Sequence, residues 1–139
     1  MGLHHAAYRC KHSEETRKFY EDFLGLPLVE ALHIKQDSGE EILHTFFQLD
    51  DGSHLAFFDA PQRPFDFKAQ SDFDLHIAFE VSTERILQTF LQKAKNANME
   101  CRGVSDHGFV RSIYLRDPNG YVVELAFVVD KTKNHFEES

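Results

Sequence analysis

The chain has no tryptophan, and it holds only two cysteines and four prolines in 139 residues. Cys10 and Cys101 are far apart in sequence and form no C-x-x-C pair, so a reduced cytoplasmic protein is the expectation. No apolar run approaches the roughly 18 residues that a membrane helix needs. The opening MGLHHAAYRC lacks the charged-then-apolar layout of a secretion signal, and Ala6 stands where a myristoylation signal carries Ser or Thr. Basic residues are also in deficit, 15 against 23 acidic, which leaves a formal charge of -8. With no Lys/Arg run and no basic helix, neither nucleic acid nor an anionic membrane is an expected partner.

What the chain does have is a 42% apolar content that includes 14 phenylalanines, enough for one ordinary folded domain without staples. It also has nine histidines, a count that points toward metal or acid/base chemistry only if their positions agree.

Hydrophobic patterning gives a first module of about residues 3–59. Residues 3–10 read as a strand, and Ser13 is placed to cap a helix whose first turn carries Glu14 and Glu15. Phe19 with Phe23 and Tyr20 with Leu24 form its apolar face, and Gly25 ends it. Strands at 28–34, 42–49 and 54–58 follow, the last two joined at Asp51-Gly52. Residues 60–73 form a linker. The second module, about 74–129, repeats the order: a strand at 75–81, a helix at 84–96 capped by Thr83, and strands at 99–104, 110–116 and 121–129. The polar tail, 130–139, is expected to fray. The fold class is therefore α+β, built from two βαβββ modules.

The repeat extends to individual residues. His5-Ala6-Ala7-Tyr8 aligns with His76-Ile77-Ala78-Phe79, and His54-Leu55-Ala56-Phe57 aligns with Glu124-Leu125-Ala126-Phe127. The separations agree, 49 residues from His5 to His54 and 48 from His76 to Glu124. Each module then places one metal-capable group on its first strand and one on its last, and pairing the modules brings four together. Two imidazoles and a carboxylate suit a divalent first-row metal with open positions, so His5, His76 and Glu124 are the expected ligands. Strand alternation turns His4 to the face opposite His5. His12, His33, His44 and His135 have no repeat partner and are read as structural or surface residues. Phe46-Phe47 and Phe57-Phe58 are adjacent pairs, so one ring of each faces the helix and the other faces away.

The strings LHHAAYRC, FYEDFLGL, DLHIAFEV and RDPNGYVVELAF resemble the vicinal oxygen chelate superfamily of glyoxalase, bleomycin-resistance and extradiol dioxygenase proteins, over about residues 3–129. The resemblance implies a cup-shaped mixed sheet around the metal. A narrower set, His107, the Ile113-Tyr114 pair, the Pro118-x-Gly120 turn and Glu124, is similar to the signature of type I extradiol ring-cleavage dioxygenases. Ser105 stands where that signature has Gly, Asn, Thr, Ile or Val, and the better-known enzymes of that type hold two such units where this chain holds one.

That likeness implies Fe(II), with Mn, Ni or Zn as other candidates, and cleavage of a catecholic or related vicinally oxygenated small molecule by O2. It gives His54 an acid/base role, Tyr114 a hydrogen bond to substrate and His107 a substrate-orienting role. Homodimers are common in such proteins. A glyoxalase-like isomerase, epimerase or lyase, with His54 as a fourth ligand, is the alternative. A metal-free binding protein of the resistance type is a third reading, and the His/His/Glu set counts against it.

Overall fold

The computed structural model describes residues 1–129, and the expected frayed tail, with His135, lies outside the described residues. The chain divides into two compact units, Met1–Lys68 and Ala69–Ser139.

In the first unit β1 (His5–Cys10) leads into α1 (Ser13–Arg17), which continues as a π-helical stretch, Lys18–Phe23. His12, not Ser13, occupies the N-cap. Ser13 instead donates its backbone N–H and its hydroxyl to Asp59 Oδ2, both at 2.9 Å, and ties the start of the helix to a residue 46 positions further along the chain. The wider π turn is closed by Leu24 N–H to Phe19 C=O, and Gly25 leaves the helix at φ 86°, a conformation that favours glycine.

The strands β2 (Leu28–Lys35), β3 (Glu41–Gln48) and β4 (His54–Asp59) complete a sheet ordered β1-β4-β3-β2, in which only the β1/β4 pair is parallel. Tyr20, Phe47 and Phe57 are fully buried, with the Tyr20 and Phe57 rings 4.9 Å apart, and form the helix-side core. Alternation sends Phe46 and Phe58 to the other face, as the adjacent-pair pattern predicts.

The second unit repeats the plan with β5 (His76–Glu80), α2 (Glu84–Asn96), β6 (Cys101–Asp106), β7 (Val110–Arg116) and β8 (Val122–Val128), ordered β5-β8-β7-β6. Thr83 caps α2 by accepting the Ile86 N–H. Leu87 and Ala94 of α2 are buried, as are Ile113, Leu115, Val123 and Leu125 on one face of the sheet. Register then puts Tyr114, Ser112 and Glu124 on the opposite face. The chain is thus two four-stranded mixed sheets, each with its helix, which is the α+β, two-module architecture that the sequence predicts.

The register corrects one expectation. His5 is the cross-strand partner of His54, whereas His76 is the partner of Val122, and Glu124 is opposite Ala78. By register, His54 corresponds to Val122, and the position matching Glu124 is Ala56. The aligned Leu-Ala-Phe strings are therefore two residues out of step. The parity of the strands is unchanged, so Glu124 still shares a face with His76.

Candidate metal and acid/base site

In the second unit, His76 and Glu124 are brought together. The parallel β5/β8 pairing sets both on one face, and His76 Nε2 lies 3.3 Å from Glu124 Oε1. The other ring nitrogen, Nδ1, is 2.7 Å from the backbone oxygen of Asp72. A carbonyl only accepts, so Nδ1 carries the proton, and in neutral His76 the Nε2 lone pair faces a carboxylate oxygen.

Two acceptors face each other there, and either a proton on Nε2 or a cation between them satisfies the pair. A divalent cation fits: ligands about 2.1 Å from a metal and near a right angle to each other stand about 3 Å apart. The tethered Nδ1–H is also the usual outer partner of a ligating histidine. Glu124 Oε2 accepts a 2.6 Å bond from the Ser112 hydroxyl, which fixes the carboxylate and leaves Oε1 toward His76.

Tyr114 is the cross-strand partner of Glu124. Burial first, then the negative charges of Glu124 and Asp72, pushes its phenol above the ordinary value, so the group remains a neutral donor. Arg102 lies over its ring, the guanidinium carbon 4.9 Å from the centroid, and makes a bidentate pair with Asp72 at 3.0 and 2.6 Å. That pair holds the Asp72 carboxyl below the usual carboxylate range.

His107 lies elsewhere in this unit. It is exposed in the β6–β7 turn, where its N–H bonds the Val110 carbonyl. Val110 is itself four residues along β7 from Tyr114, about 13 Å at the usual strand rise.

In the first unit, the face away from α1 carries His5, His44, Phe46, His54 and Phe58. Phe46 packs its edge against His5 and His54, with centroids 5.5 and 6.2 Å away. His44 is buried, stacks on Phe58 at 3.8 Å and bonds the Phe57 carbonyl, a structural role that matches its sequence reading. His54 Nδ1 is buried with no hydrogen-bond partner among the described residues.

His4 does not turn away from His5. Their Nδ1 atoms are 2.7 Å apart, because His4 precedes the strand and escapes its alternation. Within neither unit do three His, Cys, Asp or Glu side chains among the described residues gather as a metal-holding group.

Sequence reasoning missed Asp72, Arg102 and Ser112. Asp72 acts through its backbone oxygen, which no residue type announces, and the other two became visible only through the β6/β7/β8 register.

The profile of the Glyoxalase/Bleomycin resistance protein/Dioxygenase superfamily matches residues 2–125. No curated protein matches the chain. Among solved structures, a glyoxalase/dioxygenase from Nostoc punctiforme is similar, with 22% identity, TM-score 0.70, and 93% of this chain and 92% of that chain covered. The fosfomycin resistance protein FosX from Listeria monocytogenes, in a mutant form complexed with Mn(II) and 1S,2S-dihydroxypropylphosphonic acid, is 18% identical, with TM-score 0.67 and coverages of 92% and 93%. Lactoylglutathione lyase from Agrobacterium tumefaciens is 20% identical, with TM-score 0.64 and coverages of 91% and 92%. At these identities the likeness establishes the fold.

Proposed function

The chain belongs to the Glyoxalase/Bleomycin resistance protein/Dioxygenase superfamily, and from that premise we infer that it is a metal-dependent dioxygenase of the extradiol type, cleaving a catecholic or related vicinally oxygenated small molecule. The observation that carries the reading is the His76–Glu124 pair, whose facing acceptors and tethered outer atoms suit a divalent cation. His5 is the third ligand. A homodimer is part of the same reading.

Fe(II) is the metal of choice, and when bound it supplies a chelation point for two vicinal oxygens and the redox coupling to O2. The residues of the chain do the remainder. Glu124, fixed by Ser112, and His76, fixed by Asp72, present their free atoms without reorganising. The Tyr114 phenol, neutral across the working pH range, donates a hydrogen bond to a substrate oxygen. The His54 imidazole takes a proton from a substrate hydroxyl and later returns it. His5, Phe46 and Phe58 give that face an aromatic lining. His107, out on its turn, receives no role here. No helix among the described residues is long and apolar enough to cross a membrane. The cytoplasmic placing is carried by the two cysteines, Cys10 and Cys101, which are not joined by a disulfide.

One observation favours a second reading. His54 is the cross-strand neighbour of His5, and its Nδ1 is unpartnered among the described residues. As a fourth ligand it would occupy a position that O2 needs and suit isomerase, epimerase or lyase chemistry. The two readings separate by oxygen consumption. Protein loaded anaerobically with Fe(II) and then given O2 and a panel of catechols is expected to consume oxygen and form a yellow ring-opened product. No uptake across the panel, with isomerisation of a thiohemiacetal by the Ni or Zn protein, overturns the dioxygenase reading.

A further inference from the structure

The bond that sets the tautomer of His76 comes from a backbone carbonyl, so it is only as fixed as the segment that carries it. Residues 70–75 precede β5 and have no strand pairing of their own. Two arginines, one on β7 and one on β6, hold them. Arg116 of β7 donates from Nη1 to the carbonyls of Gln70 and Gly120, both at 2.9 Å. Arg102 of β6 grips the Asp72 carboxylate with both terminal nitrogens, at 3.0 and 2.6 Å. Its guanidinium also covers the Tyr114 ring, and Tyr114 is the register partner of Glu124.

Arg102 and Asp72 are half and one-third exposed, and an ion pair at such a surface contributes little to global stability. Its geometric effect is the larger one. A planar fork on both carboxylate oxygens anchors the Asp72 side chain to β6 and so restrains the backbone whose carbonyl meets His76 Nδ1.

We propose that Asp72 and Arg102 form a positioning pair that holds His76 in the Nδ1–H tautomer, with Nε2 toward Glu124, and so raises the affinity of the site for a divalent cation. The inference rests on the metal-site reading above. Arg102 does not touch the cation; it acts through Asp72 on one side of the site and through the ring of Tyr114 on the other.

The test uses the full chain with Mn(II) alone as the probe, read by electron paramagnetic resonance, together with nitrogen-15 histidine spectra of the metal-free protein. Outer partners that touch a ligand are worth about 10- to 100-fold in metal affinity, and a pair one step removed is expected to give about 3- to 10-fold. Arg102→Gln and Asp72→Ala should each weaken Mn(II) binding by that factor and shift His76 from one tautomer to a mixture. The double variant should be no weaker than the worse single one, since the two act as a unit. Arg102→Lys should recover part of the loss by returning one charged donor.

If Arg102→Gln unfolds, Asp72→Ala and Arg102→Lys carry the test, since neither removes the backbone carbonyl. Unchanged affinity and an unchanged His76 tautomer in the variants overturn the proposal. His76→Ala separates the two levels. If it abolishes Mn(II) binding while the pair variants do not weaken it, this inference alone fails; if it binds Mn(II) like the unaltered chain, the metal-site reading fails and takes this inference with it.

Discussion

One nitrogen of His76 is committed to Asp72 before any ligand arrives, and one oxygen of Glu124 is committed to Ser112, so each side chain keeps a single atom for the site. In the proposed metal site, fixing the second atom of each side chain in advance would lower the entropy lost on binding and select the ligating tautomer. His54 is the opposite case, with a buried Nδ1 that nothing among the described residues satisfies. The proposed acid/base role rests on the His54 imidazole as a whole. His54→Ala is therefore expected to retain metal at near-native affinity and to lose turnover by about 100-fold or more, as measured by metal titration beside oxygen uptake. Loss of metal in that variant supports four-ligand coordination instead. That His76 and Glu124 share one face was legible from residue type and strand parity. Asp72 was not, because its contribution is a carbonyl that every residue has. Nor was His4, because its contact with His5 depends on where β1 begins.

The sheets show why strand register is harder to read than strand position. Strand periodicity and the turn glycines Gly52 and Gly120 located β4 and β8, but the shared Leu-Ala-Phe string begins three residues after Gly52 and five after Gly120. The turn sets the hydrogen-bond register and the string does not, so the near-equal 49- and 48-residue separations were two residues out of step with the pairing. The error was harmless to the site because side-chain direction has a period of two.

β6 carries the other demand on the sheet. Gly103 sits at φ 117° where the β6/β7 register shifts, and a Cβ there would lie 2.7 Å from the Ser112 backbone oxygen. Gly103→Ala is expected to lower unfolding stability by about 1–3 kcal/mol in urea titrations and to weaken metal binding, since Ser112 must shift and carries Glu124 with it. A midpoint and a metal affinity both equal to those of the unaltered chain would contradict this use of the glycine.

For the whole molecule, the two units carry different sets of polar and aromatic side chains on their helix-free faces. The first supplies histidines and aromatic rings on its β1/β4 face, and the second supplies a carboxylate, an imidazole and a phenol on its β5/β8/β7 face. The division was visible in the repeat, whereas the way each ligand is held from behind was not, since it depends on contacts between strands distant in sequence. The proposed function requires His5, His76 and Glu124 at one divalent metal. X-ray absorption of the chain loaded anaerobically with Fe(II) measures this directly. The account predicts iron coordinated by two imidazoles and one carboxylate, with the remaining positions held by water. Three imidazoles at the iron, or an unaltered spectrum in the His76→Ala and Glu124→Ala variants, would contradict it.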